Sequence, residues 1–105
     1  MPIFAAAIDD LFADPHVAED AVYTPAGGAP VAVRAIVRRP DVHADVLGLR
    51  AGTETTRIEV RTSEVAEARA GDLVSVGDTT YRVDGAPRRD ASRLVCLLDA
   101  VEVPA

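Results

Sequence analysis

The chain has 105 residues, 49% hydrophobic and only 4% aromatic, so it can build one small domain with a core of Val, Leu, Ile and Ala. Its formal net charge of −6 argues against non-specific binding to nucleic-acid phosphates, which needs a clustered basic surface. All eleven basic residues are Arg, and the absence of Lys excludes a lipoyl or biotinyl carrier domain, a P-loop and a Schiff-base enzyme.

Residues 2–14 have the one clear helical pattern in the sequence. Pro2 suits a first helical position, and Pro15 disfavours helix at Asp14. A helix of about three turns is not stable alone, so its apolar stripe must dock on its own barrel, the interpretation we favour, or on a neighbouring subunit. The stripe consists of residues at helical spacing: Ile3, Phe4, Ala7, Ile8, Leu11 and Phe12.

Two strands follow, over residues 21–24 and 30–39, separated by a turn in Pro-Ala-Gly-Gly. In the second strand, Val31, Val33, Ala35 and Val37 recur strictly at every second position. We expect its three arginines, Arg34, Arg38 and Arg39, to lie on a solvated outer face or at the strand end.

Residues 40–53, PDVHADVLGLRAGT, show neither helical nor strand periodicity and predict one long loop. Its apolar side chains either pack on a partner or fold under to cap the open end of a barrel. If the first alternative holds, the loop is an assembly or channel-facing site. Its candidate residues are Val42, His43, Asp45, Val46, Leu47, Leu49 and Arg50.

The second half, residues 57–101, alternates with period two in three places and predicts a β-meander. Gly77 and Asp78 stand alone between two of these strands, as a tight hairpin turn requires, because Gly readily takes a positive φ. Cys96 lies in the apolar run LVCLL and is expected to be a buried structural thiol. We therefore expect a mainly β fold over residues 1–105: a small barrel or sandwich of six to seven antiparallel strands, a short N-terminal helix and one long loop.

No constellation in the sequence predicts catalysis or a bound cofactor. The densest set of possible metal ligands straddles a Pro at a helix end, where polar residues collect in any case. A nucleophile elbow is absent, and no segment has the ~20 apolar residues of a membrane span or the pattern of a secretory signal. The protein is expected to be a non-enzyme without metal, cofactor or membrane attachment. The set of possible metal ligands at the helix end consists of Asp14, His16, Glu19 and Asp20.

The order of these pieces resembles the head-tail attachment, or head completion, proteins of lambda-like tailed phages. FAAAIDDLF resembles the opening helix of that family, PVAVRAIVRRP its paired strand, and the stretch from RIEVRTSEV to LVCLLDA the order of its second half. The resemblance implies a small β-barrel that is monomeric in solution and assembles as a ring, typically of six, beneath the portal and adaptor. The ring would act as a stopper that retains packaged DNA and docks the tail terminator or tail tube.

The implied protein is thus a structural component of a phage, prophage or gene transfer agent, assembled in the bacterial cytoplasm and placed at the head-tail interface of the virion. DNA would pass through its channel without sequence-specific binding, and acidic surface facing the channel would repel the phosphates. Two alternatives stay open. One is a tail terminator or minor tail protein, and the other is a small OB-like or SH3-like binding module.

Overall fold

The computed structural model describes residues 2–39 and 55–103. The loop predicted over 40–53, with its seven candidate site residues, lies outside the described residues. The elements in chain order are helix α1 (Pro2–Ala13) and strands β1 (Glu19–Thr24), β2 (Val31–Arg38), β3 (Thr56–Arg61), β4 (Leu73–Val76), β5 (Thr79–Val83), β6 (Arg88–Arg89) and β7 (Val95–Glu102).

Six strands close an antiparallel barrel in the order β3-β2-β1-β4-β5-β7, and β7 pairs back with β3. The closing pair extends over six positions, from Thr56 opposite Ala100 to Arg61 opposite Val95. The short β6 is an additional strand on the other edge of β7. The expectation of a small, mainly β barrel with a short N-terminal helix is confirmed.

The prediction of a simple meander over residues 57–101 is wrong at its first connection. β3 pairs with β2 and β7, whereas β4 pairs with β1 and β5. The eleven-residue connection from β3 to β4 is long enough to take the chain to a different neighbour, and Val65 anchors it by inserting into the core. Period two shows which face of a strand is buried but does not identify its partner.

The barrel interior contains alternate side chains from every one of the six strands. Burial of this apolar surface is the main stabilising contribution in a chain with so few aromatic residues. The buried cluster consists of Ala21, Tyr23, Val33, Ala35, Ile58, Val60, Val65, Val74, Val76, Tyr81, Val83, Cys96, Leu98 and Ala100.

A second, smaller apolar cluster lies between α1 and the outer face of the barrel. Phe12 is fully buried there and packs with Ala18, Ile36 of β2 and Val95 of β7. The helix therefore docks on its own barrel, which was the favoured one of the two predicted alternatives. No helix in the described ranges is long and apolar enough to cross a membrane.

Candidate interaction surfaces

Three arginines form a cluster on the outer face of the barrel where β2 ends and β3 begins. Arg38 Nε lies 2.6 Å from Glu59 Oε2. Arg57 and Arg88 share Asp99, at 3.9 and 3.4 Å. We call Arg38, Arg57 and Arg88 the arginine cluster. Arg38 and Arg57 lie near the ends of β2 and β3, the two strands that segment 40–54 connects in the sequence.

The register of the sheet places two of these positive charges directly against each other. Arg38 of β2 is the cross-strand partner of Arg57 of β3. Like charges in directly opposed positions destabilise a sheet. In the described part of the chain, two carboxylates compensate three solvent-exposed guanidinium groups, so the cluster is a place where an anionic surface would be attracted.

Arg34 lies on the same outer face as Arg38 but connects the end of the helix to the barrel. Its guanidinium group donates hydrogen bonds to the carbonyl oxygens of Phe12 (2.9 Å) and Ala18 (3.0 Å) and to Asp20 (2.8 Å). A cation is favourable here because the helix C-terminus carries partial negative charge. The expectation of a solvated side chain is wrong for Arg34, because the docked helix covers it.

Arg61 holds the helix from the neighbouring strand. Its guanidinium group lies 3.0 Å from Asp9 of α1 and 2.9 Å from Glu64, and it stacks over the Phe12 ring at 5.4 Å. Burial opposes the charged form, but the hydrogen bonds to Glu64 and Asp9 outweigh it and raise the pKa of Arg61. Arg34 and Arg61 therefore have structural roles, and the sequence pattern did not distinguish them from the surface arginines.

A buried carboxylate closes one end of the barrel, and sequence reasoning missed its role. Asp72 accepts hydrogen bonds from the Tyr23 hydroxyl and from the backbone N–H groups of Ala26 (2.8 Å) and Arg69 (2.9 Å). Burial alone would raise the pKa of Asp72, but these three donors more than compensate and lower it. The signal in the sequence is the Arg-x-Gly-Asp pattern immediately before β4.

The pKa of Tyr23 moves upward, because burial and the bond to the Asp72 carboxylate both disfavour the phenolate. Asp72 and Tyr23 lie at the base of an open groove of about 630 Å³. The Asp72 carboxylate already accepts three hydrogen bonds, so the groove suits contact better than acid-base chemistry. Its walls are formed by Pro25, Ala26, Val31, Glu64, Val65, Ala66, Glu67, Arg69 and Ala70.

The predicted hairpin turn and the possible metal ligands have well-defined places. Gly77 and Asp78 form the two-residue exposed turn between β4 and β5, and Gly77 has φ +60°. Asp14 accepts a hydrogen bond from the backbone N–H of His16 at 2.8 Å, and Asp20 pairs with Arg34. No three His, Cys, Asp or Glu side chains converge as metal ligands in residues 2–39 and 55–103.

Cys96 is buried in the barrel core, as its sequence context indicated. Burial raises the pKa of its thiol, so the thiolate is disfavoured. This environment is that of a structural cysteine.

Comparison with known proteins gives one family match. A family model described as Phage Head-Tail Attachment protein matches residues 1–100. The match includes α1 and six of the seven strands completely, and most of β7. No curated protein matches the chain.

Proposed function

Because the chain belongs to the phage head-tail attachment protein family, we propose that this structural protein, which joins head and tail, is the stopper subunit of the connector. Copies of it form a ring, of six by the family resemblance, between the portal or adaptor ring on the head side and the tail terminator or tail tube on the tail side. The ring retains packaged DNA, which passes through without sequence-specific binding. The ring assembles in the host cytoplasm.

The observation that carries this proposal is the match of residues 1–100 to the family, on a barrel whose polar groups are engaged in structure. Arg34, Arg61 and Asp72 all bind within the domain. The described surface therefore offers contact faces and charge, which a joining part needs, and the proposal includes no reaction.

Segment 40–53 is the proposed contact with a neighbour or with the channel. The strands that it connects, β2 and β3, carry Arg38 and Arg57 of the arginine cluster near its two ends in the sequence. The residues proposed for this contact are Val42, His43, Asp45, Val46, Leu47, Leu49 and Arg50.

A deletion strain with added purified protein tests the joining role. Without the protein, capsids are expected to fill with DNA, leak it and fail to accept tails, while separate tails accumulate. Mixing finished heads and tails with purified protein should restore infectivity, because a structural part needs only to bind. Filled heads that join tails normally without the protein would reject the role, and defective tails beside normal heads would favour a tail terminator.

A variant of the loop tests its share in this role. Replacing Val46, Leu47 and Leu49 with Ser should abolish joining in the mixing assay and leave the melting temperature nearly unchanged. Leu11→Ser is the matched control, since Leu11 is an exposed apolar residue on α1 far along the chain from the loop. Leu11→Ser should join normally. A large loss of stability in the loop variant would instead assign these residues to the core.

A further inference from the structure

The charges of this acidic chain are unevenly distributed over the fold. Residues 2–37 and 60–78, which include α1, β1 and β4, hold nine acids and three arginines. Residues 38–39, 55–59 and 79–103 hold seven arginines and five acids. One group of described segments is therefore strongly acidic and the other slightly basic, although the net charge of the chain is −6.

The basic part centres on the arginine cluster, which spans β2, β3 and β6 around Asp99 of β7. Arg57 has Arg38 on one side and Asp99 on the other. Its separation of 3.9 Å from Asp99 makes a weak ion pair, and Asp99 is shared with Arg88. Among residues 2–39 and 55–103, the repulsion between the two opposed arginines therefore has little compensation.

The acidic part includes the start of β1, which is three strands from Asp99 of β7 but directly beside β2, where Arg38 lies. In the closed strand order, three steps separate β1 from β7 in either direction. Glu19 is exposed and makes no ion pair with another described residue, and the Asp20 side chain is 94% exposed although it contacts Arg34. Val22 lies on the same outer face as Asp20 and is 41% exposed, whereas Glu19 is at the exposed start of the strand on the alternate side. We call Glu19, Asp20 and Val22 the β1 edge.

We propose that the arginine cluster of one copy docks on the β1 edge of a second copy, in a head-to-tail contact. Two carboxylates would approach three guanidinium groups and relieve the opposed Arg38 and Arg57, while Val22 loses its exposure to water. Because the two surfaces share no residue, each copy can make both contacts at once, and the contact propagates into a ring or a chain. The inference deepens the proposed function, since it rests on that proposal for the ring.

Charge complementarity within the chain favours this occupant over DNA. A surface that tracks phosphates presents clustered basic residues, whereas Glu59 and Asp99 lie between the arginines of the cluster. Carboxylates at discrete positions fit such a mixed surface better than a continuous line of phosphates. DNA binding at the cluster is the competing outcome of the test.

Two single charge reversals test the contact in solution. Arg57→Glu alters the cluster and Glu19→Arg alters the β1 edge, and both sites are exposed, so the fold should remain, as circular dichroism and the melting temperature will show. Sedimentation equilibrium of the full chain at high protein concentration and low ionic strength gives the association constant. Wild type should self-associate weakly and lose the association as salt is added.

Each reversal alone should lower the association constant about tenfold or more, because like charges then face each other. An equimolar mixture of the two variants, or both changes in one chain, should recover it to within about threefold. A wild type that is monomeric under all these conditions, single variants that associate like wild type, or a double variant without recovery would overturn the contact. Salt-sensitive binding of a short DNA duplex that Arg57→Glu removes, without self-association, would overturn it in favour of DNA.

The mixing assay with heads and tails is run on the same variants. A confirmed contact in a protein that does not restore joining would leave the inference standing and reject the proposed function. If Arg57→Glu and Glu19→Arg join heads and tails normally and no association is found in solution, the inferred contact is rejected and the proposed function stands.

Discussion

At the scale of single residues, two arginines on one strand have opposite energetic roles. Arg57 and Arg61 both point outward from β3, four positions apart. Arg61 is 17% exposed and binds Asp9, Glu64 and the Phe12 ring, whereas Arg57 is half exposed and faces another arginine. Side-chain type and strand periodicity are identical for the two, so only the position of the docked helix separates them.

Replacing these arginines with Thr should separate their contributions to stability. Arg61→Thr removes two ion pairs and a cation–π contact at a largely buried site and should lower the free energy of unfolding by about 1–3 kcal/mol. Arg57→Thr removes the repulsion with Arg38 together with one weak ion pair. It should change the free energy of unfolding by less than about 0.5 kcal/mol. Urea unfolding of both variants measures the difference. Equal destabilisation would show that Arg57 also supports the fold.

Asp72 should make the stability of the protein depend on acid pH. Its pKa is lowered in the folded state below the ordinary value of about 3.9, so the unfolded chain takes up the proton first on acidification. The contribution of Asp72 is therefore complete above about pH 4 and is lost as the pH falls through the folded pKa. Asp72→Asn should lower the free energy of unfolding by about 1–3 kcal/mol near neutral pH, because the donors around Asp72 lose their carboxylate acceptor. The difference in unfolding free energy from wild type should shrink in acid.

Tyr23→Phe is the companion variant to Asp72→Asn. It removes one of the three donors and leaves the two backbone bonds in place. The raised pKa of Tyr23 means that its contribution is complete below about pH 10 and is lost as the pH rises further. Unfolding free energies measured across pH should thus show an alkaline decline in wild type that is smaller in Tyr23→Phe. An alkaline decline of the same size in Tyr23→Phe and in wild type would show that other titrating groups cause it.

The sequence contains part of this residue-scale information and lacks the rest. Burial of Cys96 follows from an apolar run and was predicted. The Asp72 and Tyr23 pair was not, because the two residues are 49 positions apart and only the pairing of β1 with β4 brings them together. Strand periodicity predicts a solvated face for Arg34, because it carries no information about a helix docked outside the barrel.

At the scale of elements, the β4–β5 hairpin shows where sequence reading succeeds. Period-two alternation marks both strands. A two-residue connection between them requires a residue at positive φ, and Gly77 takes that conformation, with φ +60°. The bounds of the other predicted strands also agree with the structure within a few residues, because alternation marks those strands as well. Which strands pair across long separations, such as β3 with β7, depends on closure of the whole barrel and is not visible in any local pattern.

Substitution of Gly77 tests the hairpin. A Cβ atom at this position would meet nothing within 4 Å, so the cost of a side chain comes from the backbone conformation alone. Gly77→Val should lower the free energy of unfolding by about 1–3 kcal/mol, since β-branched residues strongly disfavour positive φ. Gly77→Asn is the matched control and should lose much less, because Asn tolerates this region. Equal effects of Val and Asn would contradict the turn geometry.

At the scale of the whole molecule, barrel closure determines how copies can meet. Each of the six barrel strands has a partner on both sides within the described residues, so pairing of open sheet edges is not the main route to assembly. In the proposed ring, copies would then meet through side-chain surfaces such as the arginine cluster and the β1 edge, or through segment 40–53. Exposed ion pairs of this kind each contribute little in solution and weaken with salt.

The purified chain should therefore be a monomer of about 11.0 kDa in dilute buffer at physiological salt, and rings should form only on the connector. A template that holds several copies side by side raises their effective concentration, so contacts too weak to persist in solution suffice there. Light scattering on the purified protein, alone and with isolated tail-less heads, measures both states. The net charge of −6 on every copy adds repulsion that favours the monomer when no template is present. A stable hexamer in dilute buffer would contradict templated assembly, because contacts strong enough to form it would need no connector to gather the subunits, while the barrel itself would stand as described.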